Sequence, residues 1–186
     1  MRYRHKASRL ICSDRIGYAS QQVKLFAGTV SENISYGDTE KTISQNSVER
    51  AVAISQSEEF LSCKEGGLEA QVAQGGTNFS GGQRQRLSIA RAIAKKPEIL
   101  IFDDSFSALD YKTDRAVRST LKKDAKDITK LIVAQRIGTI RDADRIIVLE
   151  HGKAVGIGTH EELMKNCSVY REIAKSQLSD KELAGA

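Results

Sequence analysis

The sequence predicts an α/β protein with a parallel sheet and a small helical lobe inserted into it. Three observations carry this expectation. Four short apolar runs, at 16–19, 99–102, 131–134 and 146–149, are continuous rather than alternating. That is the pattern of parallel strands covered on both faces. Stretches of helical spacing lie between these runs, and strand–helix–strand alternation is the mark of the α/β class. Residues 33–78 break the alternation, being polar, rich in Ser, Gln and Glu, and without a strand-like run before Gln71. They read as the lobe.

Taken in order, the first run is Ile16-Gly17-Tyr18-Ala19. Residues 83–95 then place Leu87, Ala90 and Ala94 at i, i+3 and i+7, and Pro97 closes the helix. Ile99-Leu100-Ile101-Phe102 reads as a buried strand ending in Asp103-Asp104. Residues 113–126 set Val117, Leu121 and Ala125 four apart, a second amphipathic helix. After the runs at 131–134 and 146–149, residues 153–158 follow Gly152 as the return strand of a hairpin. Thr159 starts the last helix, with Glu162 three residues on completing a capping box. His160 fits the first turn of that helix as a surface residue and His151 falls in the hairpin turn, so neither is assigned a catalytic role. The sequence contains no internal repeat.

Composition narrows the functional classes. The chain has 186 residues, about one domain, and is long enough to bury a core without staples. The formal charge of +5 comes from the first 24 residues, where six basic side chains face Asp14 alone. The rest of the chain is balanced, so no basic patch is expected on a folded face and nucleic acid is not the expected partner. Cys12, Cys63 and Cys167 are spaced for neither a zinc site nor a redox pair, which points to plain thiols in a reducing compartment. No apolar run approaches the roughly 18 residues that span a bilayer. Nor does an apolar stretch follow the basic start, as a secretory signal would require. A cytosolic chain is expected unless something else holds it at a membrane.

Two stretches carry chemistry. In Asn78-Phe79-Ser80-Gly81-Gly82-Gln83-Arg84-Gln85-Arg86 two glycines clear side chains from a helix start. Ser80 adds a hydroxyl, and the helix adds free N–H groups and a positive dipole end, a combination suited to phosphate. The same residues also suit a glycine turn before a serine-capped helix. In the second stretch, the strand at 99–102 delivers two adjacent carboxylates at its carboxyl end, where ligands bind in open α/β sheets. Hard oxygen ligands there suit Mg²⁺, and the second carboxylate could orient or deprotonate a water. Read alone, Asp103-Asp104 equally suits a polar strand end capping the next helix, and Gln21 a solvated loop glutamine.

In sequence order, Phe79-Ser80-Gly81-Gly82-Gln83, then Ile99 to Asp103-Asp104, then Ser107-Ala108-Leu109-Asp110 resemble the ATP-binding cassette (ABC) ATPases. They look like that family's signature motif, Walker B strand and D-loop. Ile16-Gly17-Tyr18-Ala19-Ser20-Gln21 resembles the strand leading into its Q-loop. Leu25-Phe26-Ala27-Gly28-Thr29-Val30 and Glu32-Asn33-Ile34 resemble the segment that follows in exporters fused to membrane domains. Gly152-Lys153 through Gly158-Thr159-His160-Glu161-Glu162-Leu163 resembles the closing hairpin and helix. The match covers about residues 14–175. Chromosome-maintenance ATPases share an SGG signature but lack the exporter-like Q-loop context.

The resemblance implies a P-loop NTPase (RecA-like) parallel-sheet core with an inserted helical lobe. It divides the chain into an uncertain remnant at 1–13, a Q-loop region at 14–32, a lobe with the signature at 33–95, and a remainder at 96–186. ATP and Mg²⁺ are the implied cofactors. Gln21 would touch Mg²⁺ and the attacking water, and Asp103 would hold Mg²⁺ through water. Ser80, Gly81, Gly82 and Gln83 would contact the γ-phosphate of a nucleotide held by the opposite subunit, and Asp110 would sit at the subunit seam. The implied partners are a transporter membrane domain and a second nucleotide-binding domain, in a heterodimer at the inner face of the cell membrane.

The sequence also departs from the family. A phosphate loop needs G-x-x-x-x-G-K-[ST]. The one Gly-Lys pair, Gly152-Lys153, is followed by Ala154, so the pattern does not occur. The expectation is a cassette whose first strands and P-loop are missing, with the first thirteen residues a remnant. Asp104 stands where the family usually has a glutamate base. Its carboxylate is shorter by one methylene, and a misplacement of about 1 Å can cost roughly 10²-fold. Gln135, in Val133-Ala134-Gln135-Arg136-Ile137, stands where the family usually has its switch histidine. Glutamine can donate a hydrogen bond to phosphate but cannot carry a proton near neutral pH. Both changes resemble the degenerate half of heterodimeric exporters. The expected function is the ATP-binding component of an exporter of a small molecule or lipid. The rivals are a non-catalytic interaction module and a fragment unable to bind ATP alone.

Overall fold

The computed structural model describes residues 15–36 and 43–178. The basic terminus with Cys12 and the 37–42 part of the lobe lie outside the described residues. The chain divides after Val133 into two compact units.

In the first unit β1 (Ile16–Ala19) is followed by β2 (Gly28–Thr29), α1 (Val30–Ile34), α2 (Gln45–Ile54), α3 (Glu58–Ser62) and β3 (Gln71–Val72). Then come α4 (Gly81–Ala94), β4 (Ile99–Asp103), α5 (Tyr111–Asp124) and β5 (Thr129–Val133). The sheet has the order β1-β4-β5, all parallel, with Tyr18 opposite Ile101 and Ile101 opposite Leu131. This is the expected α/β core built from three of the four apolar runs; the fourth, 146–149, lies instead in a separate antiparallel hairpin. β5 begins two residues before the apolar run, because Thr129 and Lys130 pair with Ile99 and Leu100 although neither is apolar. The lobe is helical apart from the β2–β3 ladder, whose two pairs are too few to leave a sequence pattern.

One face of the sheet is packed. Ala19, Leu100 and Phe102 are buried, and Phe102 lies 5.1 Å from Phe106, centroid to centroid. Burying such a side chain contributes about 1.5–3 kcal/mol. Helix α4 lies directly on β1, where a Cβ at Gly17 would stand 2.3 Å from the Ala92 carbonyl oxygen. Glycine there lets the helix approach, and this seats the C-terminal half of α4 on the sheet.

The other face corrects the expectation of a sheet covered on both sides. Tyr18, Leu131 and Val133 are 53%, 52% and 50% exposed, and the described residues leave this face open. The runs are continuous because both faces are apolar, but only one has packing partners among the described residues.

The second unit contains α6 (Ile137–Ile140), the antiparallel hairpin β6 (Ile146–Glu150) and β7 (Lys153–Gly158), then α7 (His160–Asn166) and α8 (Ser168–Gln177). His151 and Gly152 make its turn with φ of +48° and +76°. Its core is Ile137, Ile146, Val148, Leu163, Cys167, Tyr170 and Ala174. His160 is not a surface residue. Only 7% of it is exposed, and its Nδ1 lies 2.8 Å from the Tyr170 hydroxyl. The first turn of α7 faces this small core, so helix position alone misassigned it. Burial, reinforced by the charge of Arg141, holds the imidazole below its ordinary value.

Candidate functional site

The site is assembled in the first unit from the ends of β1 and β4 and the start of α4. Ser80 is the N-cap of α4. Its hydroxyl accepts from the Gln83 N–H at 3.2 Å, and the Gln83 side chain accepts from the Ser80 N–H at 3.0 Å. This is a capping box with Gln in the return role. The expected hydroxyl at the helix start is therefore engaged by the cap. The N–H groups of Gly81 and Gly82, in the first turn, have no intrahelical partner. They sit at the positive end of a 14-residue helix with no acidic residue in its first turn. Ser80 and Gly81 are exposed.

The approach to this helix is built by Asn78. Its side chain accepts from the Ala73 N–H at 3.0 Å and donates to the Gln71 carbonyl at 2.7 Å. Arg84 reaches back to the Phe79 carbonyl at 2.7 Å. Phe79 itself is buried, edge-on to Phe60 at 6.2 Å. The chain is thus held on both sides of the two glycines, of which Gly81 is exposed and Gly82 half-buried.

Two contacts tie this start to the other motifs. The buried Gln85 donates to the Ser20 carbonyl at 3.2 Å, one residue before Gln21. A Cβ at Gly82 would lie 3.3 Å from the Ala108 carbonyl oxygen, so α4 runs close against the segment 107–110. Asp110 ends that segment as the N-cap of α5, accepting from the Thr113 N–H at 2.9 Å and its hydroxyl at 2.7 Å. These bonds, the backbone one foremost, hold its carboxyl below the ordinary carboxylate value.

Asp103 and Asp104 leave β4 at its carboxyl end. The Tyr18 hydroxyl donates to Asp103 Oδ2 at 2.8 Å, and this bond raises the phenol's pKa. Asp104 has a φ of +46°, a left-handed conformation that aspartate tolerates better than most residues. Its N–H is held by the Val133 carbonyl at 2.9 Å, and its carboxylate accepts from the Gln21 amide at 3.2 Å. The buried Ser105 hydroxyl donates to the Ala19 carbonyl at 2.6 Å, locking the loop after β4 to the end of β1.

Further along the same segment, Arg91 of α4 donates to the Asn33 carbonyl at 2.7 Å and to the Lys24 carbonyl at 3.0 Å. Its guanidinium lies over Phe26 and Tyr36, which stack at 4.1 Å. Gln21 is therefore bracketed by two anchors from one helix, Gln85 before it and Arg91 after it.

Gln21, Asp103 and Asp104 are brought together, and Ser80, Gly81, Gly82 and Gln83 are linked to them through Gln85. Gln135 belongs to the second unit, where it is exposed and its carbonyl accepts from Gln177 at 2.9 Å. Tyr18, Ser105 and Gln85 are site residues that sequence reasoning missed. The contacts of Tyr18 and Ser105 depend on strand register and that of Gln85 on how α4 packs, none of which a local pattern displays. Among the described residues no group of three or more His, Cys, Asp or Glu could hold a metal ion. The donors present suit Mg²⁺, which needs only one or two carboxylates when phosphate and water complete its shell. No helix among the described residues is long and apolar enough to cross a membrane.

Comparison with known proteins follows the same lines. A family model described as ABC transporter matches residues 3–107, more than half of the chain. An uncharacterized ABC transporter ATP-binding protein of Mycobacterium bovis is 45% identical over 163 residues, 87% of this chain and 28% of that protein. An ATP-dependent lipid A-core flippase of Photobacterium profundum is 37% identical over 90% of this chain and 28% of its own length. A bacterial Atm1-family ABC exporter solved with ATP bound superposes with a TM-score of 0.84 at 33% identity, over 90% of this chain and 29% of that one. The chain thus spans under a third of each of these proteins.

Proposed function

The chain belongs to the ABC transporter family, and we propose that it serves as the ATP-binding component of an exporter. In this reading it completes a nucleotide site across a subunit boundary. The observation that carries it is the linkage of three motifs. The glycine-rich start of α4 is anchored by Gln85 to the segment before Gln21, and Gln21 in turn holds Asp104 beside Asp103. Helix-start N–H groups without intrahelical partners on one side and carboxylates on the other suit a phosphate-bearing ligand with its cation.

The roles follow from chemistry. Gly81 and Gly82, with Ser80 and Gln83 shaping the turn, clasp the terminal phosphate of ATP held by a second nucleotide-binding domain. Asp103 and Gln21 are the residues that would hold Mg²⁺, which when bound neutralises charge on phosphate oxygens. Asp104 orients the attacking water, and its short side chain makes that step slow. Gln135 can donate a hydrogen bond to phosphate without carrying a proton. Asp110 stands at the seam between subunits. The partners are a membrane domain, which would hold the chain at the inner membrane face, and a second nucleotide-binding domain in a heterodimer. The cargo is a small molecule or lipid.

A second reading is favoured by one observation, that Asp104 and Gln135 stand where the resemblance implies a glutamate base and a switch histidine. On that reading the chain lends α4 to a complete cassette and does no chemistry itself. Calorimetry and hydrolysis assays address both readings. Alone, the chain is expected to bind ATP more weakly than the low micromolar range, and low-micromolar affinity would contradict this. Mixed with a complete partner cassette, it should raise ATP hydrolysis. No rise would contradict the composite site. A rise that survives Asp104→Asn would favour the non-catalytic reading.

A further inference from the structure

We propose that Tyr18 is a positioning residue for the divalent cation, setting Asp103 in the orientation that receives it. The inference rests on the assignment of Asp103 to Mg²⁺ made above and adds to it a residue to which the motifs give no role.

Tyr18 stands opposite Ile101 in the parallel ladder. Side chains alternate along a strand, so Ile101 and Asp103 share a face, and Tyr18 lies on that face too. A tyrosine leaning along its strand reaches the residue two positions beyond its partner. The phenolic oxygen meets Asp103 Oδ2 at 2.8 Å. The carboxylate has two oxygens, and this bond commits one of them. The other is fixed in direction for the cation or its bound water.

The geometry matters because Mg²⁺ demands near-ideal octahedral placement of its ligands. Asp103 ends a strand, and its neighbour Asp104 turns away with positive φ and is tethered to Gln21. The Tyr18 bond restrains the Asp103 side chain itself, whereas the ladder restrains only its backbone. Such outer-shell partners orient metal ligands, and their removal typically weakens metal binding about 10- to 100-fold. Tyr18 is 53% exposed, so losing its hydroxyl leaves no buried orphan and costs little packing. A phenylalanine keeps the ring and removes only the donor.

The test is a Mn²⁺ titration of the full chain, with free Mn²⁺ counted by electron paramagnetic resonance. Wild type, Tyr18→Phe and Asp103→Ala are compared, with far-ultraviolet circular dichroism as a check on folding. Wild type should show a class of Mn²⁺ site that Asp103→Ala abolishes. Tyr18→Phe should retain that class with a dissociation constant raised about 10-fold. An unchanged constant in Tyr18→Phe overturns the inference and leaves the Asp103 assignment standing. A site that survives Asp103→Ala overturns the assignment and the inference together. If Tyr18→Phe lost secondary structure, Tyr18→His, which restores a donor, would have to recover the constant, and failure to do so overturns the inference.

Discussion

The side-chain amide of Gln21 donates to the Asp104 carboxylate across 3.2 Å, joining the ends of two parallel strands. The two residues are 83 apart in sequence, and only the register of β1 on β4 makes them neighbours. Asp104 meets Gln21 from a left-handed backbone, a conformation that costs a non-glycine residue on the order of 1 kcal/mol or more. The position thus trades reach against strain.

Asp104→Glu tests that trade. The longer side chain restores the reach of a glutamate base, and hydrolysis by the assembled transporter should rise by roughly 10- to 100-fold at this site. Glutamate tolerates positive φ less well than aspartate, so the variant should unfold at a lower temperature. Turnover and thermal unfolding, measured on the same sample, check both halves. A rate that does not rise would remove carboxylate length as the reason for slow chemistry.

The sheet face that the described residues leave uncovered makes a separate prediction. Tyr18, Leu131 and Val133 form an apolar surface on parallel strands, a class of sheet normally covered on both sides. The isolated chain should associate through it. Leu131→Arg should shift sedimentation velocity toward monomer with little loss of helix or strand signal. Unchanged association would place the sticky surface elsewhere, with the outer face of the hairpin at Ile147, Leu149 and Ile157 next to examine.

His160 gives the second unit a pH dependence. Its folded-state value lies below the ordinary 6.5 because it is buried. The unfolded chain therefore takes up the proton first as pH falls. The stability linked to a neutral His160 is intact above about pH 6.5 and is lost progressively below it. Thermal unfolding at pH 7.5 and pH 5.5 should show a lower midpoint in acid, and His160→Gln should flatten the difference. An equal acid loss in His160→Gln would assign it to other groups.

Much of this architecture is legible in the chain. Ser80 as a serine cap and Thr159 through its capping box announce helices, and the hairpin return at 153–158 coincides with β7. The runs at 16–19 and 99–102 are strands whose apolar residues lie on both faces, although only one face is packed among the described residues. Tyr18 and Asp103 were separately visible but not as a pair, since the hydrogen bond depends on register. His160 reads as exposed because a single polar residue in a first turn says nothing of what the turn packs against. The face that the described residues leave uncovered is not legible in the apolar runs. Whether a neighbour covers a strand is not encoded in that strand.

Gly81 offers the most direct test of the clasp. Beyond its chain neighbours and the helix's own backbone, no atom of the described residues lies within 4 Å of a Cβ built there, so a side chain fits without displacing its surroundings. An aspartate in the first turn of α4 suits the helix dipole and should leave folding unchanged or slightly improved. The same carboxylate would stand where the phosphate is to be held. Gly81→Asp, in the transporter reconstituted with its partner nucleotide-binding domain, should cut ATP turnover by roughly 10²-fold or more with no fall in melting temperature. Turnover equal to wild type in that assembly would contradict an anion clasp at the start of α4.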